Sequence, residues 1–156
     1  MRRKDREITD TNRIESIIAN CCCCRIGFND DGKVYIVPLN FGYEINDGKY
    51  VFYFHGAKEG RKIRLIEKNP FVGFEMDTNY QLKPGGSACG YTAQFQSVIG
   101  TGTVVLMEDE REKEAALQLL MRHNAGKDGW EFSREMMDSV SVFKLIVEEL
   151  SCKEHL

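Results

Sequence analysis

Residues 50–70 read YVFYFHGAKEGRKIRLIEKNP, a pattern of strand, turn and short helix. The strand is apolar, the turn contains Gly56 and Gly60, and the helix is predicted to begin with Arg61 and Lys62. Cations are unfavourable at a helix start, because the unpaired N–H groups there carry partial positive charge. A phosphate or carboxylate would neutralise both, held by backbone N–H groups and the basic side chains. The segment therefore predicts an anion-binding turn, with a solvated basic face as the alternative.

The composition is that of one ordinary globular domain. The chain has 156 residues, 42% of them apolar and 29% charged, so we expect a single domain over residues 1–156 with a substantial core. A net charge of −3 argues against nonspecific nucleic-acid binding, which needs a broad basic surface. No apolar run is long enough to span a bilayer, and the basic residues of segment 2–6 have no apolar stretch behind them. We therefore expect a cytoplasmic protein without a signal peptide or a membrane anchor.

Four of the six cysteines are consecutive, from Cys21 to Cys24. Neighbouring residues of a strand point to opposite faces, so this run cannot present four thiolates to one metal ion. It also lacks the CxxC spacing of zinc and redox sites. We interpret these cysteines as small apolar side chains that enter a buried strand, and we expect no metal site.

Turn residues and apolar periodicity divide the chain into strands and helices. Asn29-Asp30-Asp31-Gly32 and Asn46-Asp47-Gly48 each predict a hairpin, while Gly100 and Gly102 predict a bend or bulge in a long strand. A run that is apolar on both faces, over residues 49–54, predicts a central strand. The predicted strands are 22–28, 33–43, 49–54, 71–77, 93–107 and 141–150, the predicted helices are 10–20, 61–68 and 109–123, and a glycine-rich loop covers 82–90. The pattern predicts a mainly-β antiparallel barrel with peripheral helices.

Four segments together resemble a known protein group. They are VPLNFGY at residues 37–43, YFHGAKEGRKIRLIEKNP at 53–70, SVIGTGTV at 97–104 and ALQLLMRH at 116–123. Their order resembles the nitroimidazole-resistance group within the pyridoxamine 5′-phosphate oxidase-like family of flavin split barrels. The similarity covers nearly the whole chain, including residues 1–8. Its most specific element is Gly60-Arg61-Lys62-Ile63 followed by Asn69-Pro70.

The resemblance implies a six-stranded antiparallel split β-barrel that forms a homodimer, with two FMN sites at the subunit interface. It implies that Arg61 and Lys62 hold the FMN phosphate. The segment Val37-Pro38-Leu39-Asn40 would lie along the isoalloxazine ring, and His55-Gly56-Ala57 would line the ring and the ribityl chain. Gln96 and Ser97 would reach the cofactor from the partner subunit.

His55 is the candidate catalytic residue. It follows an apolar strand and precedes a glycine, and beside the flavin it would donate a proton or orient a substrate. The alternative is a buried, hydrogen-bonded structural histidine. His123 closes a predicted helix and is interpreted as structural, with an imidazolium that complements the helix dipole.

The sequence contains no Ser-His-Asp arrangement and no P-loop, so an enzyme of this kind would depend on a cofactor. The resemblance implies an FMN-dependent oxidoreductase that takes electrons from a nicotinamide nucleotide. A small aromatic or nitroaromatic compound would accept them, as in the reduction of a 5-nitroimidazole to its amine. Vitamin B6 oxidation is not expected, because the C-terminal Arg-x-His element of pyridoxamine-phosphate oxidases is missing. Two alternatives remain: a protein that stores or senses flavin, deazaflavin or haem without turnover, and an interaction barrel without a cofactor.

Overall fold

The computed structural model of the protein describes residues 3–156. Met1 and Arg2, which belong to the N-terminal segment of the resemblance and to its basic cluster, lie outside the described residues. The strands are Glu7–Ile8 (β1), Cys24–Asp30 (β2), Lys33–Leu39 (β3), Gly42–Asn46 (β4), Lys49–Ala57 (β5), Phe71–Lys83 (β6), Thr92–Met107 (β7) and Val140–His155 (β8). The helices are Thr11–Asn20 (α1), Arg61–Lys68 (α2), Glu110–Ala125 (α3) and Arg134–Ser139 (α4).

One antiparallel sheet contains all the strands, in the order β3-β2-β6-β7-β8-β5-β4, with β1 paired to β8. The two outermost strands, β3 and β4, are separated in the chain only by Asn40 and Phe41. Two residues span at most about 10 Å, so the opposite edges of the sheet are held close together and the sheet must curl. Because β3 and β4 turn away from each other instead of pairing, the curled sheet remains open there. The predicted split barrel is confirmed.

The predicted strand 33–43 is in fact two strands, broken at Asn40 and Phe41. If β3 and β4 are counted as that one strand and the two-residue β1 is set aside, the sheet has the six predicted strands. The strand breaks here because Phe41 is buried. Its ring is fully buried and packs edge-on against Phe52, with the centroids 5.8 Å apart. The chain must turn inward to bury it.

Apolar side chains fill the barrel interior. Phe54 of β5 and Phe143 of β8 are fully buried and stack with their ring centroids 5.4 Å apart. Helices α1 and α2 each add three buried apolar residues to the same core. Each fully buried Phe, Leu or Ile contributes about 1.5–3 kcal/mol relative to an exposed position, so both helices are firmly attached to the sheet.

Helices α3 and α4 form a second, smaller core on the outside of the barrel. Successive side chains of a strand point to opposite faces, so Phe54 points inward and its neighbour His55 points outward. Val142 of β8 lies opposite His55 and is buried together with Leu117 of α3 and Met137 of α4. The outer face of this part of β5 and β8 is therefore covered by helices.

The three predicted helices are confirmed within a residue or two, and aspartate side chains cap two of them. The Asp10 carboxylate accepts a hydrogen bond from the backbone N–H of Arg13, and that of Asp109 accepts from two N–H groups of the first turn of α3. Helix α4 was not predicted, although Ser133 caps it by accepting from the N–H of Met136. Six residues carry too little periodicity for the helix to be recognised in the sequence.

Most strands are longer than predicted, since β6 runs to Lys83 and β8 to His155. The two hairpins β2–β3 and β4–β5 form as predicted. Near Gly100 and Gly102 the strand is not interrupted, but its register with β8 shifts between Thr101 and Gly102, which is the predicted bulge. Strand β5 is second from the edge rather than central, because β4 lies outside it.

The four consecutive cysteines do not all enter a strand. Cys21 follows α1 and Cys24 begins β2; both are buried, and burial raises the pKa of the Cys21 thiol to about 12. Cys22 is exposed and Cys23 is half-buried, so the interpretation as packed apolar side chains holds for the two outer members of the run. Over residues 3–156, no cluster of His, Cys, Asp and Glu side chains is arranged to hold a metal ion. None of the helices in that range is long and apolar enough to cross a membrane.

Gly42 is predicted to be essential for stability. A methyl group at this position would lie 2.4 Å from the backbone nitrogen of Leu120, so α3 could not keep its place against β4. We expect Gly42→Ala to lower the free energy of unfolding by about 1–3 kcal/mol, the usual cost of overpacking. Urea denaturation measures this. Gly86→Ala is the matched control, because a Cβ at Gly86 would meet no atom within 4 Å. Equal stability of the two variants would show that α3 and β4 do not approach this closely in solution.

Candidate functional site

The N-terminal turn of α2 has the geometry of an anion-binding site. Gly60 is the N-cap residue with a φ of 136°, a conformation that favours glycine, and no side chain caps the helix. The first intrahelical bond runs from the N–H of Arg64 to the carbonyl of Gly60. The N–H groups of residues 61–63 therefore have no acceptor within the helix, and no acidic residue occupies the first turn.

Arg61 is held by two residues of the β2–β3 hairpin. Its Nε and Nη2 atoms donate to Oδ2 of Asp30, at 3.0 and 2.6 Å, and its guanidinium carbon lies 4.2 Å from the ring centroid of Tyr35. Part of the anionic charge predicted for this turn is thus supplied by the chain itself. Nη1 of Arg61 makes no hydrogen bond within residues 3–156, so one edge of the guanidinium is free for a ligand.

The other end of α2 is attached to the same hairpin. Nζ of Lys68 donates to both carboxylate oxygens of Asp31, at 2.6 and 2.7 Å. Asp31 has a φ of 52° in the tight turn between β2 and β3. Neighbouring carboxylates, Asp30 and Asp31, therefore hold the two ends of α2. Their roles were missed in the sequence, because a hairpin turn rich in Asp is also explained by turn chemistry alone.

Lys62 lies against the backbone of Gly56. A Cβ atom at Gly56 would be 2.5 Å from Nζ of Lys62, so glycine leaves the space that this side chain occupies. The side chain of Lys62 is half-buried, and among the described residues no carboxylate lies within 4.0 Å of its ammonium group. Within the described residues, the Lys62 ammonium has no carboxylate partner and the first N–H groups of α2 have no acceptor in the helix. These groups form the part of the turn that could bind an anion.

His55 points away from this turn. It lies on the outer face of β5, towards α3 and α4, whereas Gly56 and Lys62 meet on the opposite face. His55 is partly exposed, but its pKa is lower than the ordinary value for histidine. The main cause is burial of the ring, and the positive charge of Lys62 is a second, smaller cause. The imidazole is therefore neutral at pH 7. The structure brings Gly56, but not the ring of His55, to the anion-binding turn.

The segment from Val37 to Asn40 lines the split of the barrel. Gly42 opposes Tyr53 in the β4–β5 ladder, and continuing that register by two residues would put Asn40 opposite His55. The chain instead turns away to pair with β2, where Leu39 opposes Cys24. The backbone of Val37, Pro38 and Leu39 therefore runs along one side of the split, near the level at which Gly56 and Ala57 form the other side. Nδ2 of Asn40 is bonded to the carbonyl of Cys22 and to Asn124.

Gln96 and Ser97 lie far from the turn in the same chain. Gln96 opposes Glu154 across the β7–β8 ladder, whereas His55 opposes Val142 at the other end of β8. Val142 and Glu154 are twelve positions apart, which corresponds to about 40 Å along a strand. Gln96 is buried, its Oε1 accepting from Asn79 at 2.5 Å and its Nε2 donating to Glu154 at 2.6 Å. One chain alone does not bring these two residues to the predicted cofactor site.

His123 has a packing role. Its Nε2 lies 2.8 Å from the carbonyl oxygen of Cys21, and its ring packs on Phe41 with the centroids 4.5 Å apart. Burial lowers the pKa of His123, which opposes the imidazolium predicted at the end of α3. The cleft beside it, of about 900 Å³ between α1, β4 and α3, lies away from the anion-binding turn.

Comparisons with known proteins agree with this architecture. The sequence matches the family model described as pyridoxamine 5′-phosphate oxidase over residues 10–154. A proposed 5-nitroimidazole antibiotic resistance protein from Bacteroides thetaiotaomicron has a similar crystal structure, at 36% identity and a TM-score of 0.81, covering 94% of this chain and 85% of that one. No curated protein matched the sequence.

Two more distant structures share the fold. The flavocytochrome Anf3 from Azotobacter vinelandii is 20% identical, with a TM-score of 0.81 over 100% of this chain and 72% of that one. A FAD and haem binding protein from Mycobacterium smegmatis is 15% identical, with a TM-score of 0.78 over 96% and 73% of the two chains. These likenesses concern the fold alone. On the family match and the 36% identical relative, the chain belongs to the pyridoxamine 5′-phosphate oxidase-like family.

Proposed function

We propose that the protein is a flavin-dependent oxidoreductase that binds FMN with its phosphate at the N-terminal turn of α2. The observation that carries this proposal is the ammonium of Lys62, which lies against Gly56 beside a helix start that has neither an acidic residue nor a side-chain cap. Such a site is suited to a phosphate. Membership of the family supports a flavin over other phosphorylated ligands.

The residues of the turn fit a phosphate group. Lys62 would provide a point charge, the free edge of Arg61 a further donor, and residues 61–63 their backbone N–H groups. Asp30 neutralises part of the Arg61 charge, but it also fixes the plane of the guanidinium together with Tyr35. A fixed donor loses less conformational entropy when it binds a ligand.

The split of the barrel would hold the rest of the cofactor. Strand β3 is an edge strand that pairs only with β2, so the backbone groups on its other side are free to meet a ring carrying donors and acceptors. Val37, Pro38, Leu39 and Asn40 would lie along that ring, with Gly56 and Ala57 across the split. A bound flavin supplies the capacity to accept and release electrons, and these residues bind it, orient it and exclude water from one of its faces.

The electron acceptor proposed is a small nitroaromatic compound, with a nicotinamide nucleotide as the donor. This part of the proposal is supported by the Bacteroides thetaiotaomicron relative, which is described as a resistance protein for 5-nitroimidazole antibiotics. His55 would act on the acceptor rather than on the phosphate, because its ring lies on the other face of β5. A neutral imidazole is suited to donate or accept one hydrogen bond.

A second copy of the chain is proposed to complete the site. The outer face of β3, β2, β6 and β7 exposes large apolar side chains, those of Val34, Ile36, Phe71 and Ile99. Gly27 and Gly73 lie between them on the same face, which also carries the Arg25–Glu75 ion pair. Ser97 lies about 40 Å of strand away from the turn of its own chain, so only a partner subunit could present it to the cofactor. Gln96 is buried and bonded to Asn79 and Glu154, so it would have to exchange one of these partners to reach a cofactor.

The phosphate assignment predicts a specific loss in the Arg61→Ala/Lys62→Ala variant. Each charge-assisted contact contributes roughly 1.5–3 kcal/mol, so FMN affinity should fall by two or more decades, while affinity for riboflavin, which has no phosphate, should change little. Fluorescence titration with both ligands measures this. Arg64→Ala/Lys68→Ala removes the same charge from the same helix and should retain the preference for FMN. An unchanged preference in the first variant would mean that the phosphate binds elsewhere.

Turnover separates an oxidoreductase from a storage or sensing protein. With FMN bound, we expect NADH or NADPH to bleach the flavin absorbance, and a 5-nitroimidazole to restore it in the absence of oxygen. Rapid-mixing absorbance spectroscopy follows both steps. Bound flavin that neither donor reduces would support the alternative of binding without turnover, and a Soret band in the purified protein would indicate haem instead.

The dimer predicts that charges on the exposed sheet face separate the subunits. Ile36→Asp/Ile99→Asp should shift the sedimentation coefficient to that of a monomer and weaken FMN binding at least tenfold, because each subunit would hold half a site. Leu156→Asp, at an apolar residue of the C-terminus that is more exposed than Ile36 and Ile99, should remain dimeric. A monomeric wild-type protein that binds FMN tightly would contradict the shared site.

A further inference from the structure

The free edge of β4 borders the cleft of about 900 Å³ that lies between α1, β4 and α3. Strand β4 is the last strand of the sheet and pairs only with β5. The cleft is lined by the consecutive residues 43–46 of β4, by Glu15 of α1, and by residues of α3 that include Ala115, Gln118 and Leu119. Consecutive side chains of a strand point to opposite faces, so a cleft that touches all four lies along the edge of β4 rather than over one face.

The turn between β4 and β5 fixes the hydrogen-bonding pattern of the hairpin. Asp47 and Gly48 form a two-residue loop and both have a positive φ, of 50° and 75°, which is the geometry of a type I′ turn. The flanking residues of such a loop, here Asn46 and Lys49, form a hydrogen-bonded pair. Hydrogen-bonded pairs then alternate with non-hydrogen-bonded pairs along an antiparallel ladder.

This alternation decides which backbone groups reach the free edge. Glu44, two residues before the flanking pair, exchanges its hydrogen bonds with β5. The N–H and C=O groups of Tyr43 and Ile45 therefore point away from β5 and into the cleft. Within residues 3–156, no other strand pairs with this edge. Two donors and two acceptors of the backbone are thus available to a ligand in the cleft.

The opposite edge of the sheet is protected in a way that β4 is not. In β3, the same alternation, counted from the β2–β3 turn, directs the backbone nitrogen of Pro38 outward, and proline has no N–H to donate. Proline, lysine and bulges are common protections of an edge strand. Strand β4 is short, but it contains neither proline nor lysine, and its register with β5 has no bulge. Its edge is open to a further strand.

The side chains of the cleft favour a positively charged partner. Glu15 and Glu44 line it, and among the described residues no cation lies within 4.0 Å of either carboxylate. The carboxylate of Glu44 accepts a hydrogen bond from the hydroxyl of Tyr53 at 2.7 Å, which holds it in place without neutralising it. Arg122 also lines the cleft, but its Nε donates to Asp128 at 2.6 Å.

These charges argue against a second copy of the chain at this edge. An antiparallel strand that uses all four free backbone groups places two of its residues opposite Tyr43 and Ile45 and the residue between them opposite Glu44. If that strand were β4 of a second copy, Glu44 would lie opposite Glu44, and like charges directly opposite each other are destabilising. A lysine or arginine at the central position would form a favourable pair instead.

We propose that the free edge of β4 binds an extended segment of a partner protein as an added antiparallel strand, with a lysine or arginine opposite Glu44 and an apolar residue on each side of it. The two apolar side chains would lie on the same face as those of Tyr43 and Ile45, which are half-buried and pack against the barrel core. The proposal does not require flavin binding, because the cleft lies away from the N-terminal turn of α2.

NMR titration of the isotope-labelled full-length protein with capped peptides tests the site. We expect saturable binding of the peptide TVKVT, with the largest shift changes at the amides of Tyr43 and Ile45. The peptide TVEVT should bind about tenfold more weakly, because its central charge repels Glu44. TVKVT methylated at both valine nitrogens should lose about tenfold or more, because it lacks the two N–H donors. No saturable binding of TVKVT, or equal affinities for the three peptides, would overturn the proposal.

Hydrogen exchange of the peptide-free protein tests whether the edge is free. The amides of Tyr43 and Ile45 should exchange faster than that of Glu44, which is bonded to β5 and is the internal control, and TVKVT should slow both of them. Protection of Tyr43 and Ile45 that grows with protein concentration would assign the edge to a second copy and refute the proposal. Protection at every concentration would refute it too, because the chain itself would then cover the edge.

A charge reversal tests the predicted register. Glu44→Lys should reverse the preference, so that TVEVT binds more tightly than TVKVT. Glu67→Lys makes the same change at an exposed residue of α2, outside the cleft, and should keep the wild-type preference. A Glu44→Lys variant with the thermal unfolding midpoint of the wild type and an unchanged preference would contradict the pairing with Glu44. If this variant unfolds early, the comparison of the three peptides on the wild-type protein still decides the question.

Discussion

The corner at Asn40 and Phe41 is the constraint on which the rest of the structure depends. Phe41 is fully buried between Phe52 and His123, which fixes the corner inside the molecule. With the corner fixed, β3 and β4 lie at opposite edges of one sheet and yet close together. The sheet therefore has to curl. It stays open at the split because β3 pairs with β2 and β4 pairs with β5, and the two strands do not pair with each other. The candidate cofactor site is the space that this arrangement leaves between β3 and the end of β5.

Strand β5 then divides two chemical environments. On one face, Gly56 gives room to Lys62, and the start of α2 collects positive charge without an acidic residue to oppose it. On the other face, His55 borders an apolar cavity covered by α3 and α4. Adjacent residues reach different surroundings because side chains alternate along a strand.

The electrostatics of the turn are set by the β2–β3 hairpin. Asp30 and Asp31 hold the two ends of α2 through Arg61 and Lys68. The Lys68–Asp31 pair is exposed and the Arg61–Asp30 pair is partly exposed, so solvent screening keeps their contribution to stability small. Their larger effect is on geometry, because Asp30 and Tyr35 leave Arg61 with one free edge. Lys62, in contrast, lies against the backbone of Gly56.

Local patterns in the sequence determined a large part of this description. Asp10 and Asp109 precede two helices and cap them, and the turns at Asp31-Gly32 and Asp47-Gly48 marked two hairpins. Gly60-Arg61-Lys62 marked the start of α2 and was part of the resemblance to the family. Each of these signals lies within a few residues of its effect, since caps and turns are satisfied by neighbouring atoms.

What the tertiary structure alone decided concerns residues that are far apart in the chain. Asp30 meets Arg61 across 31 positions, and the register of β8 separates Gln96 from His55. Likewise, the packing of α3 and α4 on β5 decides which side chains surround His55, among them Leu117 and Met136. Such contacts depend on strand register and on which helix covers which face. Those are set by the burial of the whole core, and no short segment of the sequence carries that information.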